Sequence, residues 1–262
     1  MIKPKKSLGQ HFLTDKNTAG RIVRSLQAGK GDRVIEIGPG TGALTGMLYE
    51  AYPNLAAFEV DMRSVEWLKE RFSGLEIYPE SFLDAILEKM EPVEGEGLYV
   101  IGNLPYFLTS PILFKTMDAG KVVRQAVFMI QREVAERLAA TPRTKAYGIL
   151  SVQAQVLGRV ELLFHVPRTA FNPPPNVESS VISFTSGNDR FPDSAASLPV
   201  SLPFFKTVVR QAFQQRRKKL SNALKPIMTG PFPEGFDAGR RAEELEPEEF
   251  VDLCAFMAEY QP

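Results

Sequence analysis

Five residues, Gly38-Pro39-Gly40-Thr41-Gly42, follow the short β-branched run Arg33-Val34-Ile35-Glu36-Ile37 and precede the helix-forming Ala43-Leu44-Thr45-Gly46-Met47-Leu48. Few chain paths accommodate that order. A strand that ends in a glycine loop and enters a helix is the unit with which doubly wound sheets cradle phosphates or nucleosides. Gly38-x-Gly40-x-x-Ala43 also satisfies the dinucleotide fingerprint formally, so the loop alone admits a nicotinamide enzyme, a nucleoside-binding enzyme or a plain structural turn. Its tightness suits close backbone approach to a nucleoside better than a pyrophosphate lying across a helix terminus.

The chain around the loop repeats the alternation. Leu55–Asp61, Leu75–Tyr78, Leu98–Ile101, Ala126–Ile130 and Val160–Phe164 each follow a helical stretch, and Ser180–Phe184 closes the series. Strands alternating with helices predict an α/β fold, a mainly parallel seven-stranded sheet with one antiparallel strand and helices on both faces. A Pro-rich loop without a helix joins Val160–Phe164 to Val181–Phe184, so these two are expected as antiparallel neighbours. Before the first strand, Ser7–Leu13 leads into a helical stretch over about 17–27, with Ile22, Val23 and Leu26 as its apolar stripe.

Thr185–Pro203 is rich in Ser, Pro, Asp and Asn, which predicts a division into residues 1–187, a linker over 188–203 and a small helical domain over 204–262. Within the last, Phe204, Phe205, Val208, Val209, Ala212 and Phe213 mark an amphipathic helix with Pro203 in its first turn, and Pro247 opens a final helix.

A chain of 262 residues with 44% hydrophobic and 24% charged residues has enough material for a full core and a small second domain. One cysteine, Cys254, excludes an internal disulfide and a cysteine-based zinc cage, and with no signal-like or membrane-length apolar stretch a cytoplasmic, membrane-free location is expected. Basic and acidic residues balance at 31 each, yet Phe205–Pro233 holds seven cations and no acid, and the tail beyond it is acidic. That segregation allows a basic face on a neutral protein.

Two further features bear on chemistry. Glu59 lies about 20 residues beyond Gly38, where a carboxylate grips a ribose diol; a solvated strand-end acid is its plainer reading. Asp61 reads as solvated or as the cap of the helix opening at Met62. Asn103-Leu104-Pro105-Tyr106 follows the apolar run Leu98–Gly102. It offers an amide carbonyl, a backbone carbonyl, a proline without an N–H and a ring for stacking, which together suit a flat base with an amino edge. Open α/β sheets bind ligands beyond strand C-termini, so Gly38, Glu59 and Asn103 are expected along one rim.

Gly9–Leu13, Glu36–Thr45, Asn103–Tyr106, Phe171-Asn172-Pro173-Pro174-Pro175-Asn176-Val177-Glu178-Ser179 and Arg216–Leu220 occur in one order over nearly the whole chain. In this the sequence resembles the ribosomal RNA adenine dimethyltransferases, most of all the bacterial branch that dimethylates two adjacent adenosines near the 3′ end of 16S rRNA in the small subunit. The large-subunit, erythromycin-resistance branch typically carries isoleucine where Leu104 stands.

The resemblance implies S-adenosylmethionine as donor, no metal and a Rossmann-like methyltransferase domain. It implies that His11 and Leu13 cover the donor, Gly38 and Gly40 pass it closely with Glu36 beneath, and Glu59 takes its ribose. Asn103 and the Leu104 carbonyl would receive the adenine amino group, with Pro105 shaping the turn and Tyr106 and Phe171 stacking the base. One position departs. Ser81, beside Glu80, stands where the family usually has an aspartate for the donor's adenine, and this motivates a rival reading as a catalytically weakened RNA-binding assembly factor. Arg210, Arg216, Arg217, Lys218 and Lys219, with Lys3, Lys5 and Lys6, are expected to meet rRNA phosphates, and a monomer is expected.

Overall fold

The computed structural model describes residues 2–5, 8–90 and 97–260; Lys6 and Ser7 of the basic start lie outside them. In chain order the elements are β1 (Phe12–Leu13), α1 (Lys16–Arg24), β2 (Arg33–Ile37), α2 (Thr45–Ala51), β3 (Leu55–Phe58), α3 (Met62–Arg71), β4 (Glu76–Tyr78), β5 (Leu98–Asn103) and α4 (Thr109–Asp118). They continue with β6 (Val123–Gln131), α5 (Arg132–Leu138), α6 (Ile149–Leu157), β7 (Gly158–Val166), β8 (Phe171–Asn172), β9 (Ser179–Ser186), α7 (Leu202–Gln214), α8 (Leu220–Ala223) and α9 (Pro247–Ala258).

Seven strands form one sheet in the order β4-β3-β2-β5-β6-β9-β7. β2 runs parallel to β3 and β5, β3 to β4 and β5 to β6, while β9 runs antiparallel to β6. This is the expected mixed sheet, with β7 and β9 adjacent. Residues 34–37 of β2 and all of β3 are buried, as strands covered on both faces must be, and their continuous apolar runs carry the signal. Because crossovers are right-handed, helices on the two sides of the order reversal lie on opposite faces. The reversal falls between β2 and β5: the chain first builds outward through β3 to β4, then returns to β5.

Local chemistry sets the helix ends. The Asp15 carboxylate accepts from the Thr18 N–H at 2.8 Å and starts α1, whose Ile22 and Val23 enter the core with Leu26 just beyond. The Asp61 side chain caps α3 in the same way. A second, two-stranded sheet goes beyond what local periodicity predicts: β1 pairs antiparallel with β8, Phe12 opposite Asn172 and Leu13 opposite Phe171. The segment around Phe12 and Leu13 is thereby fastened to the Pro-rich loop.

Two compact units result, residues 1–135 with 161–186, and 136–160 with 187–262. The division expected from composition differs in two respects. Residues 136–160, α6 among them, belong to the second unit, and the expected linker 188–203 is a packed part of it. Asn188 Nδ2 donates to the carbonyls of Gln155 and Val156 (2.9 and 3.0 Å), the Ser194 hydroxyl donates to Leu157 O, and Phe191 is buried. A polar segment can be ordered when its side chains satisfy the end of a helix, which composition does not register.

The second unit has its own core around Val152, Val156, Phe205, Val208, Phe250 and Leu253. Each such buried side chain contributes about 1.5–3 kcal/mol. Tyr147 is fully buried and donates to Leu245 O at 2.9 Å, and its ring meets Phe213, which stacks on Phe250.

Candidate active site

Beyond the C-terminal ends of β2, β3, β4 and β5 lies one cavity, lined entirely by the first unit. Strand register places the site there: Ile37 sits level with Phe58 and Gly102, so the next residues, Gly38, Glu59 and Asn103, emerge side by side. Gly38 and Gly40 have φ of 63° and 57°, a left-handed conformation costly for residues with a Cβ. A Cβ at Gly38 would find only the Asn103 carbonyl, 4.0 Å away, so open space lies above it. Gly40 faces a different neighbour: its missing Cβ would lie 3.0 Å from the Phe12 ring.

Glu59 is buried and its two oxygens are held by backbone donors, Gly40 N–H at 3.0 Å and Asp61 N–H at 2.9 Å. Burial still raises its pKa, and those amides oppose the rise. Glu36 is more deeply placed. Its Oε2 has no hydrogen-bond partner, and burial pushes its carboxyl up to about 8. The Thr45 hydroxyl beside it counters this only in part, and the charge of Glu59 adds to it. A buried carboxyl with one oxygen unpaired in a cavity wall is costly unless a ligand supplies the missing donor or countercharge.

Ser81 and Glu80 line the cavity as well. The Ser81 hydroxyl oxygen accepts from Leu83 N–H at 3.2 Å, capping the short turn Phe82–Asp84, which leaves its own O–H to donate.

The segment before β1 forms part of the wall. His11 Nδ1 meets Pro173 O at 2.8 Å, and its ring stacks on Tyr106 with centroids 5.9 Å apart. Asn103 Nδ2 donates to His11 O at 3.1 Å, so Asn103 Oδ1 is the atom left to accept. The Tyr106 hydroxyl bonds Ser179 Oγ at 2.8 Å, Leu104 is buried with its N–H donated to Met129 O, and Pro105 O accepts from Leu108 N–H. Leu13 both lines the cavity and joins the core.

Asp61 does more than the expected capping. It is 3% exposed and accepts from Gln10 Nε2 at 3.0 Å and Arg63 Nε at 3.0 Å, with Lys5 Nζ at 3.6 Å. The Arg63 guanidinium holds its carboxyl well below the usual range, and Arg63 also donates to Lys3 O. Asp61 is thus the joint between the N-terminal segment and the Glu59 loop. A signal existed: residues two apart at a strand end share a face, so Asp61 follows Glu59 inward.

Two expectations need correction. Phe171 does not line the cavity; it is 4% exposed and packs in the core with Leu13, Ala170 and Val166, because β8 pairing turns it inward. Arg216 is not free for phosphate. Its Nε meets Glu243 Oε2 at 2.6 Å and its other nitrogens donate to Lys145 O and Thr144 O at 2.9 and 3.0 Å. The acid that was absent from the neighbouring sequence arrives from the tail. Arg210, Arg217, Lys218 and Lys219 are exposed. Among the described residues no helix is long and apolar enough to cross a membrane.

Residues 1–259 match the family model described as ribosomal RNA adenine dimethylase. The "Ribosomal RNA small subunit methyltransferase A" of Parabacteroides distasonis is 44% identical over 259 residues, 97% of this chain and 93% of that protein. The protein of the same name from Porphyromonas gingivalis is 41% identical, covering 98% of each chain. Among solved structures, a dimethyladenosine transferase from Plasmodium falciparum superposes with a TM-score of 0.79 at 22% identity, covering 95% of this chain and 98% of its own, a likeness of fold. The 23S rRNA methyltransferase ErmE superposes with a TM-score of 0.70 at 25% identity, covering 94% and 99%.

Proposed function

The chain belongs to the ribosomal RNA adenine dimethylase family, and from that premise we propose that it dimethylates the N6 amino groups of two adjacent adenosines near the 3′ end of 16S rRNA in the small ribosomal subunit. The observation that carries this reading is the meeting, in one cavity at the sheet's switch point, of a base-edge acceptor, Asn103 Oδ1, with the Glu36, Gly38 and Glu59 wall.

That wall fits S-adenosylmethionine. The unpartnered Oε2 of Glu36 suits a cationic group, the open space over Gly38 admits a close ligand, and Glu59 offers acceptor lone pairs to a diol. When bound, the donor supplies an electrophilic methyl group. Ser81 and Glu80 would meet the donor's base, and His11 and Leu13 would close over it.

The chain's own part in the chemistry is positioning. An adenine amino nitrogen is a weak nucleophile because its lone pair is delocalised into the ring. Asn103 Oδ1 and the Leu104 carbonyl accept its two hydrogens, draw the nitrogen towards tetrahedral geometry and turn its lone pair outward. As positive charge develops on nitrogen these acceptors bind more strongly than before, which lowers the barrier. Tyr106, backed by His11, offers a face to the base and offsets the few kcal/mol of unstacking it.

Arg210, Arg217, Lys218 and Lys219 supply phosphate contacts from the second unit, with Arg216 fixing the loop that carries them. We take the enzyme to act as a monomer in the cytoplasm. The test is methyl transfer from labelled S-adenosylmethionine to unmethylated small and large subunits, with mapping of the modified base. Label on two adjacent adenosines of 16S rRNA is expected; label on the large subunit alone, or none from a folded protein, overturns the reading.

A further inference from the structure

Phe107 is the most exposed large apolar side chain among the described residues, at 59%, and it lines the mouth of the cavity directly after the Asn103–Tyr106 turn. Leaving such a ring in water forgoes the free energy of burying it. Its placement is fixed. Residues Tyr106–Leu108 form a tight turn closed by Leu108 N–H to Pro105 O at 3.0 Å, the Tyr106 hydroxyl is tied to Ser179, and Thr109, buried, begins α4.

On one side the ring is backed by the N-terminal segment: a Cβ added at Gly9, where φ is +58°, would lie 3.3 Å from it. That segment also carries Lys3 and Lys5, which meet Arg63 and Asp61; an exposed aromatic ring at the cavity mouth is itself the kind of surface on which a single-stranded base stacks.

An adenine that enters the pocket leaves its neighbour in the strand with one uncovered face. We propose that Phe107 is the platform for that neighbouring base: its ring stacks on the nucleobase adjacent to the target adenine and replaces the stacking lost when the target leaves the strand. The inference rests on the reading of the cavity as an RNA adenine methylation site. With two adjacent adenosines as substrate, the base on Phe107 is the second adenine, held at the mouth while the first reacts.

Stacking on one aromatic ring is worth about 1–3 kcal/mol, near tenfold in affinity at its lower half. The experiment measures KM, kcat and donor affinity for wild type, Phe107→Ala and Phe107→Trp. The substrates are unmethylated small subunits, and small subunits reconstituted with uridine in place of the neighbouring adenosine. Phe107→Ala is expected to raise KM about tenfold on the natural substrate and clearly less on the uridine substrate, with Phe107→Trp near wild type and S-adenosylmethionine affinity by calorimetry unchanged in all three.

An unchanged KM, a rise as large on uridine as on adenosine, or a parallel loss of donor affinity would each overturn the inference; the last would make Phe107 a prop for the N-terminal segment. Absence of methyl transfer by wild type would instead overturn the functional reading itself.

Discussion

Glu36 sets a sharp thermodynamic test. Its carboxyl is buried in the cavity wall with one oxygen unpaired, and its pKa is pushed up from 4.5 to about 8. At about 1.4 kcal/mol for each pH unit, that displacement corresponds to about 5 kcal/mol between the two ionisation states. As pH rises past 4.5 the unfolded chain ionises this group while the native protein keeps it protonated, so stability drains away until the native group itself ionises near pH 8. Glu36→Gln keeps the shape and removes the titration, at a cost of about 1–3 kcal/mol for a poorly satisfied buried amide. The variant should therefore be slightly less stable than wild type at pH 5 and more stable by a few kcal/mol at pH 9. Urea unfolding followed by circular dichroism at pH 5, 7 and 9 measures the crossing. A cationic ligand favours the ionised carboxylate, so S-adenosylmethionine binding near pH 7 should also release up to about one proton from wild type and none from the variant, read by calorimetry in buffers of different ionisation heat. A wild-type-to-variant stability difference that does not move with pH would refute the reasoning.

Asp61→Ala frees Gln10 and Lys5 from the Glu59 loop, so S-adenosylmethionine affinity should fall about tenfold and the amides of residues 8–13 should exchange faster with deuterium; undiminished protection would deny the joint its role. Gly40→Ala imposes both a left-handed backbone and a contact at 3.0 Å with Phe12, against Gly74→Ala, whose φ of +87° has nothing within 4 Å of the added carbon. Urea melts should show a loss of about 1–2 kcal/mol at Gly74 and distinctly more at Gly40. Arg216→Ala should lower stability by about 2 kcal/mol through its lost bonds to Glu243, Thr144 and Lys145, whereas Arg217→Ala with Lys218→Ala should leave melting intact and reduce the salt slope of RNA binding by nearly two. Equal salt slopes would return those cations to a solvated surface.

What could be read from the sequence was whatever its own neighbours decide. The glycine loop, the strand before it and the helix after it are local, and so are the Asn103–Tyr106 turn and the Pro203 and Pro247 helix starts; all lie where periodicity and turn chemistry put them. Glu59 was legible through its distance from Gly38. What escaped depends on partners far along the chain. Phe171 points inward because β1 claims β8, Arg216 is occupied by Glu243 from the acidic tail, and Asn188 and Ser194 turn a polar segment into the cap of α6. Residues 136–160 read as one more crossover of the sheet, yet Tyr147 and Val152 bury in the second unit's core.

The β1–β8 pairing has a consequence for how the protein comes into being. Phe12 waits for Asn172, about 160 residues later. At about 5–20 residues per second, that delay is roughly ten seconds or more of translation, during which Phe12, Leu13 and the segment bearing His11 have no strand to join. By then β2 to β6 and the glycine loop have already emerged. A chain still attached to its ribosome can therefore hold this segment only through side-chain contacts such as Gln10 with Asp61 and Asn103 with His11, and the strand pair that completes its anchoring is added late in synthesis.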